Sequence, residues 1–201
     1  MTTLEHRGRW FWESFDPTSR SAGADLAAIR KGANKAPGDV PGMWQHYRVV
    51  VPNPSQQNLE PHPALSAEHA TLVIFSLHQQ SQNTRMHKSG MTLGKALHQL
   101  KKADKFSEDA VDRRVNRMAT AGDVTELIEH LRHLISQLRT VAQPLDYNQL
   151  VQDLHDWHRP EQRPRIRRAW GSQYYLWSGA KATSDSDAPE QDADGAADSN
   201  P

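Results

Sequence analysis

Arg113, Arg114 and Arg117 fall within five residues of one another, and Arg132 and Arg139 follow, seven residues apart. Guanidinium groups at such spacing suit one chemistry well: holding phosphate oxygens of a nucleic-acid backbone by charge and forked hydrogen bonds. On a helix of about 100° per residue, Val111, Val115 and Met118 define a buried face. Arg113 and Arg117 lie roughly opposite that face and Arg114 on its flank. Arg132 and Arg139 share one flank of the next helical segment, away from Glu126, Glu129 and His133. Lys95, Lys101, Lys102 and Lys105 add charge upstream. The connection 120–123 is short, so the two helices are expected to be antiparallel neighbours. Arg132 would then lie beside Arg113 and Arg117 on one surface. The ordinary alternative is a solvated face with ion pairs one turn apart, for which Asp109 is the main acid in reach.

A denser cluster follows: Arg159, Arg163, Arg165, Arg167 and Arg168, with Glu161 among them and Trp170, Tyr174, Tyr175 and Trp177 after them. Basic residues followed by aromatics can stack single-stranded nucleic acid. The same aromatics also suit packing a terminal helix onto a core, and that reading is favoured here. His130/His133 and His155/His158 are pairs three residues apart, and His155-Asp156 resembles the dipeptide of helical metal-dependent phosphohydrolases. A hydrolase using His130, His133, His155 and Asp156 is therefore the enzymatic alternative. On a helix whose core face is Tyr147, Leu150, Val151, Leu154 and Trp157, Asp156 is expected to point outward, where it cannot converge with ligands inside a bundle. The chain has no cysteine, which excludes disulfides, a thiolate zinc site and a cysteine nucleophile. It has no G-x-S-x-G, no phosphate-binding glycine loop and no dinucleotide fingerprint. The expectation is a non-enzyme with no catalytic residue, no metal and no cofactor.

Helices must carry these groups. Apolar residues recur at helical spacing through most of the chain, and strand alternation is nearly absent. Residues 9–15 are aromatic-rich and end at Asp16-Pro17; 24–31 reads as a short helix closed by Gly32. Residues 43–51 read as helix, with Val49 to Val51 as a strand alternative. The segment 64–79 is the most apolar helix and 92–102 the next. Ser107 is expected to cap a helix to about 119, and Asp123 with Glu126 to open another as a capping box. Helices over 145–157 and 165–177 close the series, and loops take 32–42, 52–63 and 79–90. This is an all-α fold of about eight helices in two small packed bundles, with possible sub-bundles at about 1–105 and 106–178. Residues 182–201 hold six of the 24 acidic groups and no Lys or Arg, leaving a body of charge +6 and a tail of −6. The tail, 179–201, lacks apolar bulk and is expected to be disordered; a basic body points to a polyanionic partner. The most apolar run, 70–75, is far too short to span a bilayer, and the N-terminus has no apolar h-region. A cytoplasmic protein with no membrane contact is expected.

Seven motifs in order carry a resemblance over most of residues 10–177. They are Trp12; Ile29-Arg30-Lys31-Gly32; Phe75-Ser76-Leu77-His78-Gln79; Thr92-Leu93-Gly94-Lys95-Ala96-Leu97; Arg113-Arg114-Val115; His130-Leu131-Arg132-His133-Leu134-Ile135; and Leu145-Asp146-Tyr147 with Asp153-Leu154-His155-Asp156-Trp157. Together they resemble the small subunit (CasB-type) of Cascade, the type I-E CRISPR surveillance complex. Lys31 stands where that family has a second Arg, Val115 where it has an aromatic, and the acidic tail lies outside its pattern. The resemblance implies a non-catalytic all-α subunit, two copies of which pack head to tail beside the backbone and large subunits. Their basic faces would line the path of crRNA, target DNA and the displaced strand. It implies nucleic-acid contacts at Arg30, Lys31, Lys95, Arg113, Arg114 and Arg132; the helical pattern alone adds Arg117 and Arg139. A helical protein-interaction module without nucleic acid is the further alternative.

Overall fold

The computed structural model describes residues 3–51 and 61–176. The expected acidic tail, Trp177 and most of the 52–63 loop lie outside the described residues. Among these residues eight α-helices follow in order: α1 Phe11–Ser14, α2 Ala22–Arg30, α3 Pro63–Gln79, α4 Leu93–Lys101, α5 Glu108–Ala119, α6 Val124–Thr140, α7 Tyr147–Trp157 and α8 Arg163–Tyr175. Among the described residues two 3-10 turns, Pro41–His46 and Pro160–Gln162, lie between them. Among the described residues there is no strand, only isolated bridges joining His6 to Val49 and His87 to Leu145. The fold is all-α.

α3 is the axis of the packing and meets α2, α6 and α7. Pro63 starts it with a preset φ, and His62 Nδ1 accepts from the Ala64 N–H at 3.2 Å. It is buried on nearly every side, so its polar residues must find partners inside. They do so by pegging loops to the core. Glu68 accepts the N–H groups of Arg48 and Val49 at 2.6 and 2.9 Å. His69 Nε2 meets the Gly32 carbonyl at 2.9 Å and its Nδ1 the Tyr47 hydroxyl at 2.6 Å. A carbonyl only accepts, so Nε2 carries the proton and Nδ1 takes that of Tyr47. Gln79 donates to the carbonyls of Gln82 and Thr84 and accepts from the Met86 N–H, fixing the loop after α3.

Two glycines from the sequence motifs permit close approach. A Cβ on Gly32 would sit 2.3 Å from Met43 Sδ, and one on Gly94 2.5 Å from the Trp170 carbonyl oxygen. Gly94 thus lets α4 press onto α8, where Thr92 Oγ1 donates to Gln173 Oε1 at 2.7 Å and His98 Nδ1 meets the Tyr174 carbonyl at 2.8 Å. Of the aromatics after the second arginine cluster, Trp170 and Tyr174 are buried. Trp170 stacks on Trp157 at 5.3 Å and donates its Nε1 proton to Asp153 Oδ2.

Three local expectations need correction. Residues 43–51 are not a helix: the 3-10 turn ends at His46 and the chain runs on extended, because Glu68 takes the N–H groups that a continuing helix would use. Ser107 occupies the N-cap position of α5 but makes no side-chain cap bond. Asp123 caps α6 by accepting from the Glu126 N–H at 2.9 Å, whereas Glu126 reaches past it to the Gly122 N–H at 2.7 Å.

Candidate nucleic-acid interface

α5 buries Val111, Val115 and Met118. That alignment turns Arg113, Arg114 and Arg117 outward, and all three are exposed. Arg114 Nη1 donates to the Ala110 carbonyl at 3.0 Å. Arg113 and Arg117 have no side-chain hydrogen bond or ion pair among the described residues. Two acids of α5 are held elsewhere: Lys101 of α4 draws Asp112 to 2.8 Å and Glu108 to 3.6 Å, and Tyr174 donates to Asp112 at 2.5 Å. Asp109, one turn before Arg113, is exposed and makes no ion pair with it. Asp112 is held below the usual carboxylate range: burial opposes this, but its bonds with Lys101 and Tyr174 outweigh the burial.

The three guanidiniums and Ala110 line a shallow depression. Beside it Arg114 and Arg117 form one wall of a groove of about 370 Å³ whose other wall is His130, His133 and Gln137 of α6. Sequence reasoning missed these three as groove residues, though their spacing of three and four puts them on one stripe.

Of the eight candidate cations, only Arg113, Arg114 and Arg117 share these depressions. Arg132 does not join them. It lies two residues from His130, about 160° around the helix, and lines a separate groove with Asn34, His69 and Thr125. There its Nη2 donates to the Ala33 carbonyl and its Nη1 to Asn34 Oδ1. Arg139 Nη1 donates to the Leu77 carbonyl at 3.2 Å and Gln80 Oε1 at 3.1 Å, closing the C-terminal end of α3. Arg30 is half-buried in the last turn of α2, Lys31 is exposed at its C-cap, and Lys95 is exposed on α4 with Nζ 3.2 Å from the Gly90 carbonyl.

The metal alternative fails on geometry. Asp156 does not point outward: it is completely buried. Arg159 binds its Oδ1, Arg165 donates to Oδ2 at 2.8 Å and Gln152 to Oδ1 at 3.1 Å. The wheel of α7 could not show that residues 159–165 fold back over that side. The carboxylate is engaged on both oxygens, and among the described residues no three His, Asp or Glu side chains converge as a metal site. Arg163 donates to the carbonyls of Trp157 and Gly122 and Arg167 to that of Ala121, and both guanidiniums lie over Trp157, at 6.0 and 5.2 Å. Among the described residues no helix is long and apolar enough to cross a membrane.

Known proteins share both the sequence pattern and this arrangement of helices. The family model described as CRISPR-associated protein Cse2 matches residues 25–175. Among solved structures, CasB from Thermobifida fusca is 26% identical with a TM-score of 0.61, over 78% of this chain and 86% of that one. A chain of a CRISPR RNA-guided surveillance complex is 27% identical with a TM-score of 0.57, over 76% and 82%. CasB from Thermus thermophilus, 21% identical with a TM-score of 0.56 over 79% and 90%, shares the fold. No curated protein matches the chain. With three quarters of its length matched and an all-α fold to go with it, the chain belongs to the CRISPR-associated protein Cse2 family.

Proposed function

We propose that the protein is a non-catalytic, nucleic-acid-binding small subunit of a type I-E CRISPR Cascade-like complex. In this reading it packs with a second copy of itself beside the backbone and large subunits. It steadies crRNA, target DNA and the displaced strand of the R-loop by charge and shape, while base pairing reads sequence. The observation that carries the proposal is the α5 face: three exposed guanidiniums, two of them unpartnered among the described residues, beside one another in two depressions of the surface. An R-loop is a near-balanced exchange of base pairs, so modest backbone contacts suffice to tip it. Lys31 and Lys95 add exposed charge at other edges of the fold, and Arg30 a half-buried one. Arg132 and Arg139 contribute as braces of the scaffold, through the carbonyls they hold.

The test is nucleic-acid affinity against salt. Removing one phosphate-binding charge lowers the magnitude of the salt slope by about 0.7 on a single strand. Arg113→Glu and Arg117→Glu are expected to weaken binding and flatten the slope with no change in melting temperature. Unchanged affinity and slope in both folded variants would move the interface away from α5.

A further inference from the structure

The groove between α5 and α6 has a second wall that the arginine reading leaves unused. His130 is half-buried and His133 exposed, and with Gln137 they face Arg114 and Arg117. His130 Nε2 is shielded from solvent and makes no hydrogen bond among the described residues; its ion-pair neighbour is the Glu126 carboxylate, one turn back at 3.5 Å. No residue of α3 or α4 lines the groove. The charged groups beside the two imidazoles are Arg114 and Arg117 from α5 and, on α6 itself, Glu126 one turn before His130 and Glu129 one turn before His133. No Trp, Tyr or Phe lines it either, so it offers a base nothing to stack on. What it offers is donors: two guanidiniums, two imidazoles and an amide around a space of about 370 Å³.

We infer that this groove seats a phosphodiester of single-stranded nucleic acid, with His130 and His133 as its second wall, so that its hold tightens as the imidazoles gain protons. The inference rests on the reading of α5 as a backbone-binding face. An imidazole changes charge between about pH 5 and 8, and a phosphodiester keeps its negative charge across that range. A bound phosphate beside an imidazole favours its charged form. Binding at such a seat takes up protons, and the subunit grips a strand more firmly in mildly acidic solution. Gln137 supplies an amide whose hydrogen bonding does not depend on pH.

The experiment measures binding of the full chain to a labelled oligothymidylate, whose bases do not titrate near neutrality, by fluorescence anisotropy at fixed low salt. Wild-type affinity is expected to rise about tenfold from about pH 8 to about pH 6, the effect of two charge contacts at a partly exposed site. The double variant His130→Gln, His133→Gln is expected to hold one affinity throughout, near that of the wild type at the higher pH. His133→Gln alone, at the exposed position, should halve the dependence on a logarithmic scale and serves if the double variant does not fold. Melting temperatures at each pH separate this from Glu68 and Asp153, two buried carboxyls outside the groove that burial pushes up to about 7 and about 6. Salt-dependent binding without pH dependence overturns the histidine inference and leaves the α5 reading standing. An undiminished pH dependence in the double variant does the same. No salt-dependent binding at either pH overturns both.

Discussion

The five arginines at 159–168 outnumber the three on α5, yet the sparser group is the one left open to solvent. Four of the five have partners. Arg159 and Arg165 clamp Asp156, and Arg163 and Arg167 hold the carbonyls of Gly122 and Ala121. Those two carbonyls belong to the connection between α5 and α6. The denser cluster thus anchors the corner from which the open arginines project, so one group positions the other. Density of charge in a sequence does not say which charge is available. Availability depends on what acceptors fold against it: a buried carboxylate and loop carbonyls absorb Arg159, Arg163, Arg165 and Arg167, while among the described residues no acceptor folds against Arg113 or Arg117.

The largest test of this contrast is Asp156. Breaking a buried ion pair costs roughly 3–5 kcal/mol when a charge is left stranded inside. Here the stranded groups would be Arg159 and Arg165, whose side chains are 37% and 34% exposed, so Asp156→Ala is expected near the lower end. Urea unfolding checks it. A loss below about 1 kcal/mol, the range of an exposed pair, would mean that the second cluster is decoration and the contrast is false.

A smaller effect comes from comparing Asp156 with the other fully buried carboxylate, Glu68. Asp156 has two guanidiniums; Glu68 has two neutral N–H groups, with Arg48 a lesser influence. Burial pushes Glu68 up to about 7 from an ordinary 4.5. The folded state therefore binds the proton more tightly than the unfolded one. The stability this gives is fully present below about 4.5 and is lost as pH rises through about 7. His78, buried and pushed down to about 3 from 6.5, acts in the opposite sense, losing stability as pH falls below 6.5. The two partly cancel in the wild type, so the informative quantity is the difference from Glu68→Gln. Unfolding free energies should show the wild type losing ground to that variant between about pH 5 and 7.5. A difference that does not vary with pH would mean that Glu68 is ionised throughout, as a paired carboxylate would be.

Most of this fold was legible because helical periodicity is a local signal. The α3, α4, α5 and α6 segments are placed within a residue or two by their apolar spacing, and the outward aim of Arg113 and Arg117 follows from the same wheel. What failed depended on distant chain. Asp156 sits away from the apolar stripe of α7 and is buried only because residues 159–165 return over it. Residues 47–51 are extended because a carboxylate on α3, twenty residues later, takes the N–H of Arg48. Arg132 shares a helix with the groove histidines, but the wheel does not reveal which side of α6 meets α5. The resemblance to a known family supplied the cations at Arg30, Lys31 and Lys95, which no periodicity singles out.

The smallest expected effect is the most searching, because it divides the dense cluster from within. Arg168 is exposed on α8 and has no side-chain partner among the described residues, unlike its four neighbours. It should therefore behave like an α5 residue in stability: Arg168→Glu should change the unfolding free energy by less than about 0.5 kcal/mol, as exposed substitutions do. It should differ from α5 in binding. Arg168 stands without a second free guanidinium one turn away and lines neither α5 depression. A lone surface charge adds little to a phosphate track, whereas Arg117 works with Arg113 and Arg114. Arg168→Glu should leave the salt slope within about 0.2 of the wild type, and Arg117→Glu should lower its magnitude by about 0.7. If the two variants flatten the slope equally, nucleic acid crosses α8 as well, and availability of single charges, not their grouping, sets where the strand runs.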